Sequence, residues 1–369
     1  MAGCGGGNVV GATGGGTPPV DGPVNFLTST NLSGTDDDPA VAMDPQGNIH
    51  VVWFSDRDGT NDLYATHSTA IDLASGNITW APPIHITDNA VAQFPLPTGD
   101  NFPSLFIDSS GTHHLAWHRT DTANQAHILY AQSDGTAAGW AAAKVVSVTT
   151  GANFDRFANV VRVSANDLRI FFVSHTRVAP LNKDGIFVAK STDNGATWPS
   201  VAEVTTLNST IEQTSLPSVL RLTSGLFTAT FQRFKLNPAN DVLDPSNDIF
   251  YAESPDGDIW SATQVTSDPN DNKNDLAPSF FLDHAGAPHL AWGTTFFGDP
   301  SGDLVQMKVS DRAGFPNLVT HLTSTLGLPD HSPRLAAVTA GTSQVFVMVW
   351  VRTSGTPHDQ VVYRVFSTL

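Results

Sequence analysis

The chain has one cysteine, Cys4, so no disulfide can form within it, and burial and hydrogen bonding must hold the fold. Positive charge is scarce. The 18 Lys and Arg are outnumbered by 35 Asp and Glu, for a formal net charge of −17. Such a surface repels nucleic acid, whose binding rests on Lys and Arg neutralising phosphates. No apolar run approaches the roughly 20 residues of a membrane-spanning helix. The longest, Val345 to Val351, has the length of one buried strand. Glutamate occurs only at 203, 212 and 253, and lysine is sparse. These residues fill surface helices, and no stretch keeps a helical period, so a helical protein is excluded.

What is present is strand and turn material. Hydrophobic residues make up 40% of 369, enough for a large core, and Gly, Pro, Thr, Ser, Asn and Asp are plentiful. One turn recurs roughly every sixty residues between two apolar strands. Its copies close at Gly47, Gly111, Asp167, Gly225, Gly286 and Gly341. A proline precedes the first strand's apolar stretch in five copies (Pro39, Pro103, Pro217, Pro278, Pro333), with Ala158 in the sixth. The second strand ends in an aromatic: Trp53, Trp117, Phe172, Phe231, Trp292 or Trp350. A third strand follows, holding Tyr64, Tyr130, Val188, Tyr251, Met307 or Tyr363, and then a fourth. Four antiparallel strands per repeat, six times over, predict an all-β, six-bladed β-propeller over residues 24–369.

The turn from third to fourth strand carries a family resemblance. Ser191-Thr192-Asp193-Asn194-Gly195-Ala196-Thr197-Trp198 matches the Asp box, and degraded copies stand near Trp80, Trp140, Trp260 and Phe315. On these residues the chain resembles the sialidase-like, Asp-box (BNR repeat) propellers. The last repeat lacks a fourth strand. Residues 25–30, Asn-Phe-Leu-Thr-Ser-Thr, are similar to residues 320–325, Thr-His-Leu-Thr-Ser-Thr. Residues 24–31 are therefore expected to complete the sixth blade and close the ring.

Residues 1–23 read as a flexible Gly- and Pro-rich leader. Ala2-Gly3-Cys4 followed by glycines resembles the end of a bacterial lipoprotein signal, which implies lipidation at Cys4 and a place at the cell surface, on the periplasmic face or outside. The membrane would then be reached only through that anchor.

Candidate functional residues fall in two loop sets at one end of the blades. Three residues before the proline position stand Asp36, Asp100, Asp155, Thr214, Asp275 and Asp330. Two residues after the strand aromatic stand Arg119, Arg233 and Arg352, with Arg57 and Arg177 slightly further on. The five acids are candidates for a cation, Ca2+ above all, and no other cofactor is implied. The competing expectation is that arginines of neighbouring blades neutralise them. His50, His114 and His289 repeat three residues before the tryptophan, which favours core hydrogen bonding over a metal triad.

The sialidase resemblance implies three arginines gripping a carboxylate, with a tyrosine nucleophile and a glutamate partner. Arg156, in Asp155-Arg156-Phe157-Ala158, is the one arginine at the corresponding place of a first strand. The four tyrosines share the third-strand repeat position, and Glu212 aligns poorly. Sialidase activity is not expected. Three readings stand. The first is a surface-anchored propeller binding glycans or other extracellular partners, with Arg119, Arg233 and Arg352 as ligand-binding candidates. The second is a glycan-active hydrolase or lyase drawing on Asp100, His118, Arg119, Asp155, Arg156, His175 and His331. The third is a structural module of an extracellular assembly.

Overall fold

The structure is a computed structural model that describes residues 23–28, 34–72, 75–87, 99–136, 139–147, 154–175, 184–208, 212–237, 242–267, 274–295, 302–323, 329–340, 343–353 and 358–366. The Cys4 leader, Arg177 and residues 29–31 lie outside them. The described residues are all-β apart from one 3-10 turn, Val309–Gly314. Its strands form antiparallel groups in chain order. The first holds Asp36–Met43, Ile49–Ser55, Asp62–Asp72, Asn77–Trp80 and Ile84–His85. The second holds Gly99–Ile107, His113–Thr120, Ala126–Ser133 and Lys144–Val145. A parallel bridge from Ala126 to Phe154 joins it to the third, Phe154–Arg162, Leu168–His175, Asp184–Ser191 and Ser200–Glu203. The fourth and fifth begin at Glu212–Arg221 and Asp275–Leu282.

The last group is assembled from both ends of the chain. Asp330–Ala340, Ser343–Thr353 and Asp359–Phe366 pair in order, and Asn25–Phe26 pairs with Tyr363 and Val362. A hydroxyl pattern shows what position this short strand takes. At the end of a fourth strand, Thr87, Ser147, Thr266 and Thr323 accept the third-strand N–H of Leu63, Ile128, Ile249 and Leu304 at 2.9–3.1 Å. Thr28 accepts the N–H of Val361 in the same way, at 3.2 Å.

Adjacent groups pack face to face. Trp53, Trp117, Trp292 and Trp350 are each at most 1% exposed and lie in clusters with the preceding group. Each buries on the order of 200 Å2 of mostly apolar surface, which makes these rings the largest single contributions to the interfaces. The turn tryptophans do the same at the outer edge. Trp198 stands edge-on to Tyr130 at 5.2 Å, Trp260 to Phe171 at 5.8 Å, and Trp80 to Tyr363 at 5.4 Å. In the turn itself, Asp193 accepts from the Thr197 N–H at 2.9 Å and its hydroxyl at 2.6 Å. Gly195 takes φ 79°, where a Cβ would strike the Tyr130 ring.

Every first strand carries the same irregularity. The residue before the proline position has positive φ: Asp38 50°, Phe102 51°, Phe157 57°, Leu216 51°, Ala277 51° and Ser332 54°. The pairing register shifts by a bulge at each of these places. Just beyond the bulge, short polar side chains tie one first strand to the next. Ser104 accepts from Val160 N–H at 3.1 Å, Asn159 from Val219 N–H at 3.0 Å, and Ser218 from Phe280 N–H at 3.1 Å. The Ser279 hydroxyl donates to the Pro333 carbonyl at 2.7 Å. All six first strands line one axial cavity of about 150 Å3.

Candidate functional site

The repeated acids sit at the start of the first strands and are buried: Asp36 1% exposed, Asp100 and Asp155 0%, Asp275 and Asp330 4%. Four of them accept the indole N–H of their own group's tryptophan, Trp53, Trp117, Trp292 and Trp350, at 2.8–3.1 Å. The arginines meet them within the same sheet, not from a neighbouring one as the sequence suggested. Antiparallel register places Asp100 directly opposite Arg119 and Asp330 opposite Arg352. Arg119 Nε and Nη2 each reach Asp100 at 2.6 Å; Arg352 reaches Asp330 at 2.7 and 2.8 Å. Arg57 Nη2 reaches Asp36 at 2.6 Å. These acids therefore bolt each second strand to its first, and those of Asp100 and Asp330 are turned to arginine and tryptophan, not bare toward the axis. Asp155 lies across from Ser174. Arg233 takes another route, donating to the Leu207 carbonyl at 2.8 Å and lying over the Phe250 ring at 4.4 Å.

A different set gathers at the mouth of the axial cavity between the second and third groups. The bulges turn Phe102 and Phe157 toward each other, edge to face at 4.5 Å. His118, from the strand beside Phe102, stacks on that ring at 5.4 Å. Its Nδ1 is buried with no hydrogen-bond partner among the described residues. Burial, with the Arg156 charge adding to it, pushes the His118 imidazole down to about 3, so it is neutral at physiological pH. Arg156 lies 5.3 Å over the Phe157 ring, and its Nη2 donates to Asp184 at 3.2 Å. Asp184 also holds His175 Nδ1 at 2.7 Å. The structure thus brings together His118, Arg156 and His175 of the sequence candidates. It adds Phe102, Phe157 and Asp184.

At the other side of the mouth, Asp37, His331 and Asp359 place donor atoms within 4.8 Å of one another. Among the described residues this is the group close enough to share a cation. Two carboxylates and an imidazole suit a transition-type divalent ion better than Ca2+, which takes about six to eight oxygens. Burial pushes the Asp37 carboxyl up, and the Asp359 charge adds to the rise, while His331 opposes it.

The repeated histidines are structural. His50 meets Asp44 at 3.1 Å, His114 meets the Tyr130 hydroxyl at 2.7 Å, and His289 meets Gln306 at 2.7 Å. His113 is bound as well, at 3.0 Å from His50. The tyrosines need one correction. Tyr130, Tyr251 and Tyr363 stand opposite the residue before the second-strand aromatic, but Tyr64 stands opposite Trp53 itself. One step along a strand reverses the face, so Tyr64 packs toward the preceding group and its hydroxyl donates to Asp58. Burial raises the phenols of Tyr64, Tyr130 and Tyr251 far above the ordinary value, the opposite of what a nucleophile requires.

Sequence comparison finds no family model and no curated protein that matches the chain. Solved structures share the fold. A protein of unknown function from Dyadobacter fermentans aligns with TM-score 0.69 and 14% identity, over 95% of this chain and 99% of that one. An α-L-arabinanase from Penicillium chrysogenum, complexed with arabinobiose, aligns at 0.67 and 14%, over 95% and 99%. The NanB sialidase of Streptococcus pneumoniae aligns at 0.59 and 12%, over 94% and 70%. An α-L-arabinofuranosidase and an ulvan lyase are also similar. At these identities the likeness establishes the fold, a β-propeller, and nothing finer.

Proposed function

We propose that the chain is a six-bladed propeller, closed by residues 24–31 and tethered at a bacterial cell surface through a lipid on Cys4, that binds glycans at its loop end without sialidase activity. The observation that carries the reading is the mouth cluster. Phe102 and Phe157 offer aromatic surface, and Arg156, held over Phe157 by Asp184, offers a planar donor group. His118 Nδ1 adds an unsatisfied polar atom beside them. A concave site of apolar walls with a few fixed polar groups suits a ligand with both a hydroxylated edge and a C–H face, which is what a sugar presents. The similar folds of arabinan-active enzymes, a sialidase and a polysaccharide lyase support a glycan-related role.

Arabinobiose, the ligand of the Penicillium chrysogenum enzyme, is a suitable first probe, followed by a glycan array. Binding is expected to fall at least about ten-fold in Arg156→Ala and Phe157→Ala, with folding unchanged. A chain that binds no glycan on the array refutes the reading. Release of sialic acid from fluorogenic sialosides would overturn the negative part.

One contact favours a catalytic alternative. His175, fixed by Asp184 at 2.7 Å, is arranged as an imidazole oriented by a carboxylate, the form of a general base for a lyase or hydrolase. Depolymerisation of a polysaccharide that is lost in His175→Ala would establish it.

A further inference from the structure

Beneath the mouth, the axial cavity has polar and apolar surface in near-equal parts, and one wall is charged. Asp38, on the first group's bulge, is 6% exposed and lines the cavity. Its carboxylate accepts no hydrogen bond from the described residues. Arg334 lines the same cavity from the last group, and its guanidinium donates to its own neighbour, the Pro333 carbonyl, at 2.9 Å. The two feel each other's charge without closing into an ion pair.

Elsewhere around the axis the positions equivalent to Arg334 hold Ser104, Asn159, Ser218 and Ser279, whose polar atoms are used in binding the next first strand, and those equivalent to Asp38 hold Phe102, Phe157, Leu216, Ala277 and Ser332. Arg334 and Asp38 are the charged residues at these two repeat positions. Asp38 is buried and Arg334 half-buried, and polar groups drawn from water toward a cavity are costly unless something else fills their valences.

We propose that the axial cavity is a subsite for one neutral sugar ring, the terminal residue of a glycan chain, with Asp38 accepting from its hydroxyls and Arg334 donating to them. This rests on the glycan reading above and narrows it to recognition of a chain end. The size supports a single ring: an engineered apolar cavity of about 150 Å3 in another protein admits benzene, and this one is of the same volume. The charge supports a neutral ring. A uronate or sialate would bring a further acidic group beside Asp38 and Asp37.

Calorimetric titration with arabinobiose, xylobiose, galactobiose and digalacturonate tests the proposal in wild type, Asp38→Asn, Arg334→Met and Arg156→Ala. Asn tolerates the positive φ of Asp38, and Met keeps the aliphatic length of Arg334, so both variants are expected to fold, as circular dichroism would verify. The expected result is that at least one neutral disaccharide binds, digalacturonate binds more weakly, and both axial substitutions weaken binding about ten-fold or more. Binding lost in Arg156→Ala but unchanged in both axial variants would overturn the subsite and leave the mouth reading standing. Stronger binding of digalacturonate would overturn the neutral-ring assignment. Absence of binding by all four probes would overturn the subsite, while a hit on the glycan array would still preserve the wider reading.

Discussion

Asp100 offers the sharpest test of how the blades are held. Its carboxylate takes the Trp117 indole N–H at 2.8 Å and two guanidinium N–H groups of Arg119 at 2.6 Å each. Asp100 and Arg119 are 0% and 1% exposed, so neither can turn to water. Asp100→Ala leaves a cation buried without its counter-charge, which costs about 3–5 kcal/mol, and an unmet indole N–H adds on the order of 1 kcal/mol. The sum is about 4–6 kcal/mol. With an unfolding entropy of ~2.1 cal/mol/K per residue, a chain of this size loses about 5–8 °C in Tm. Asp36→Ala makes a useful comparison, because the Arg57 side chain is 15% exposed and can rehydrate; a loss of about 1–2 kcal/mol is expected there. Urea unfolding of the two variants measures the difference. Replacing the pair together, Asp100→Leu with Arg119→Met, is expected to restore most of the loss. If Asp100→Ala is no worse than Asp36→Ala, the burial argument is wrong. If Ca2+ raises the wild-type midpoint by several degrees and leaves Asp100→Ala unmoved, the acids are a cation site instead.

Deleting residues 1–22 is expected to leave the melting temperature unchanged, while deleting 1–32 removes the strand at Asn25–Phe26 and the Thr28 contact and lowers it steeply; equal values would refute ring closure. Cys4 is expected to carry lipid in the native bacterial host, as mass spectrometry of the membrane fraction would reveal; an unmodified mature protein would refute the anchor. Burial and the nearby His50 hold His113 down to about 4, so the unfolded chain takes up its proton first. Stability is therefore expected to fall as pH drops from about 6.5 toward 4, and His113→Gln is expected to flatten that part of a stability-against-pH curve.

The sequence pattern made the sheet order and the strand roles legible because each repeat reuses the same few residues. Tryptophan at the end of the second strand, proline in the first and a hydroxyl at the end of the fourth each report a position that burial or a hydrogen bond demands. Thr28 shows how far this reaches, since its match to Thr323 in sequence corresponds to the same hydrogen bond in space. What escaped was register. Tyr64 looks equivalent to Tyr130 but is displaced by one residue relative to the tryptophan, and that reverses its face. For the same reason Arg119 seemed free to reach a neighbouring blade, although pairing sets it directly across from Asp100. The mouth was half legible. Arg156, His118 and His175 stand out as unusual residues at loop-end positions, whereas Phe102 and Phe157 read as ordinary strand residues until the bulge turns them. Asp184 had a signal in Asp62, Asp303 and Asp359, which also begin third strands.

The six bulges have a bearing on how the axis can change. A residue with a Cβ held at φ near +50° carries on the order of 1–2 kcal/mol of backbone strain, so the six together store about 6–12 kcal/mol around the channel. Substitution by Asn or Gly at Phe102, Phe157, Leu216 or Ala277 relieves part of that strain while replacing a residue that lines the cavity. The chemistry of the channel can therefore be rewritten with little loss of stability. The neighbouring buried acids two positions away have no such latitude, and drift in sequence should be fast at the bulges and slow at the bolts.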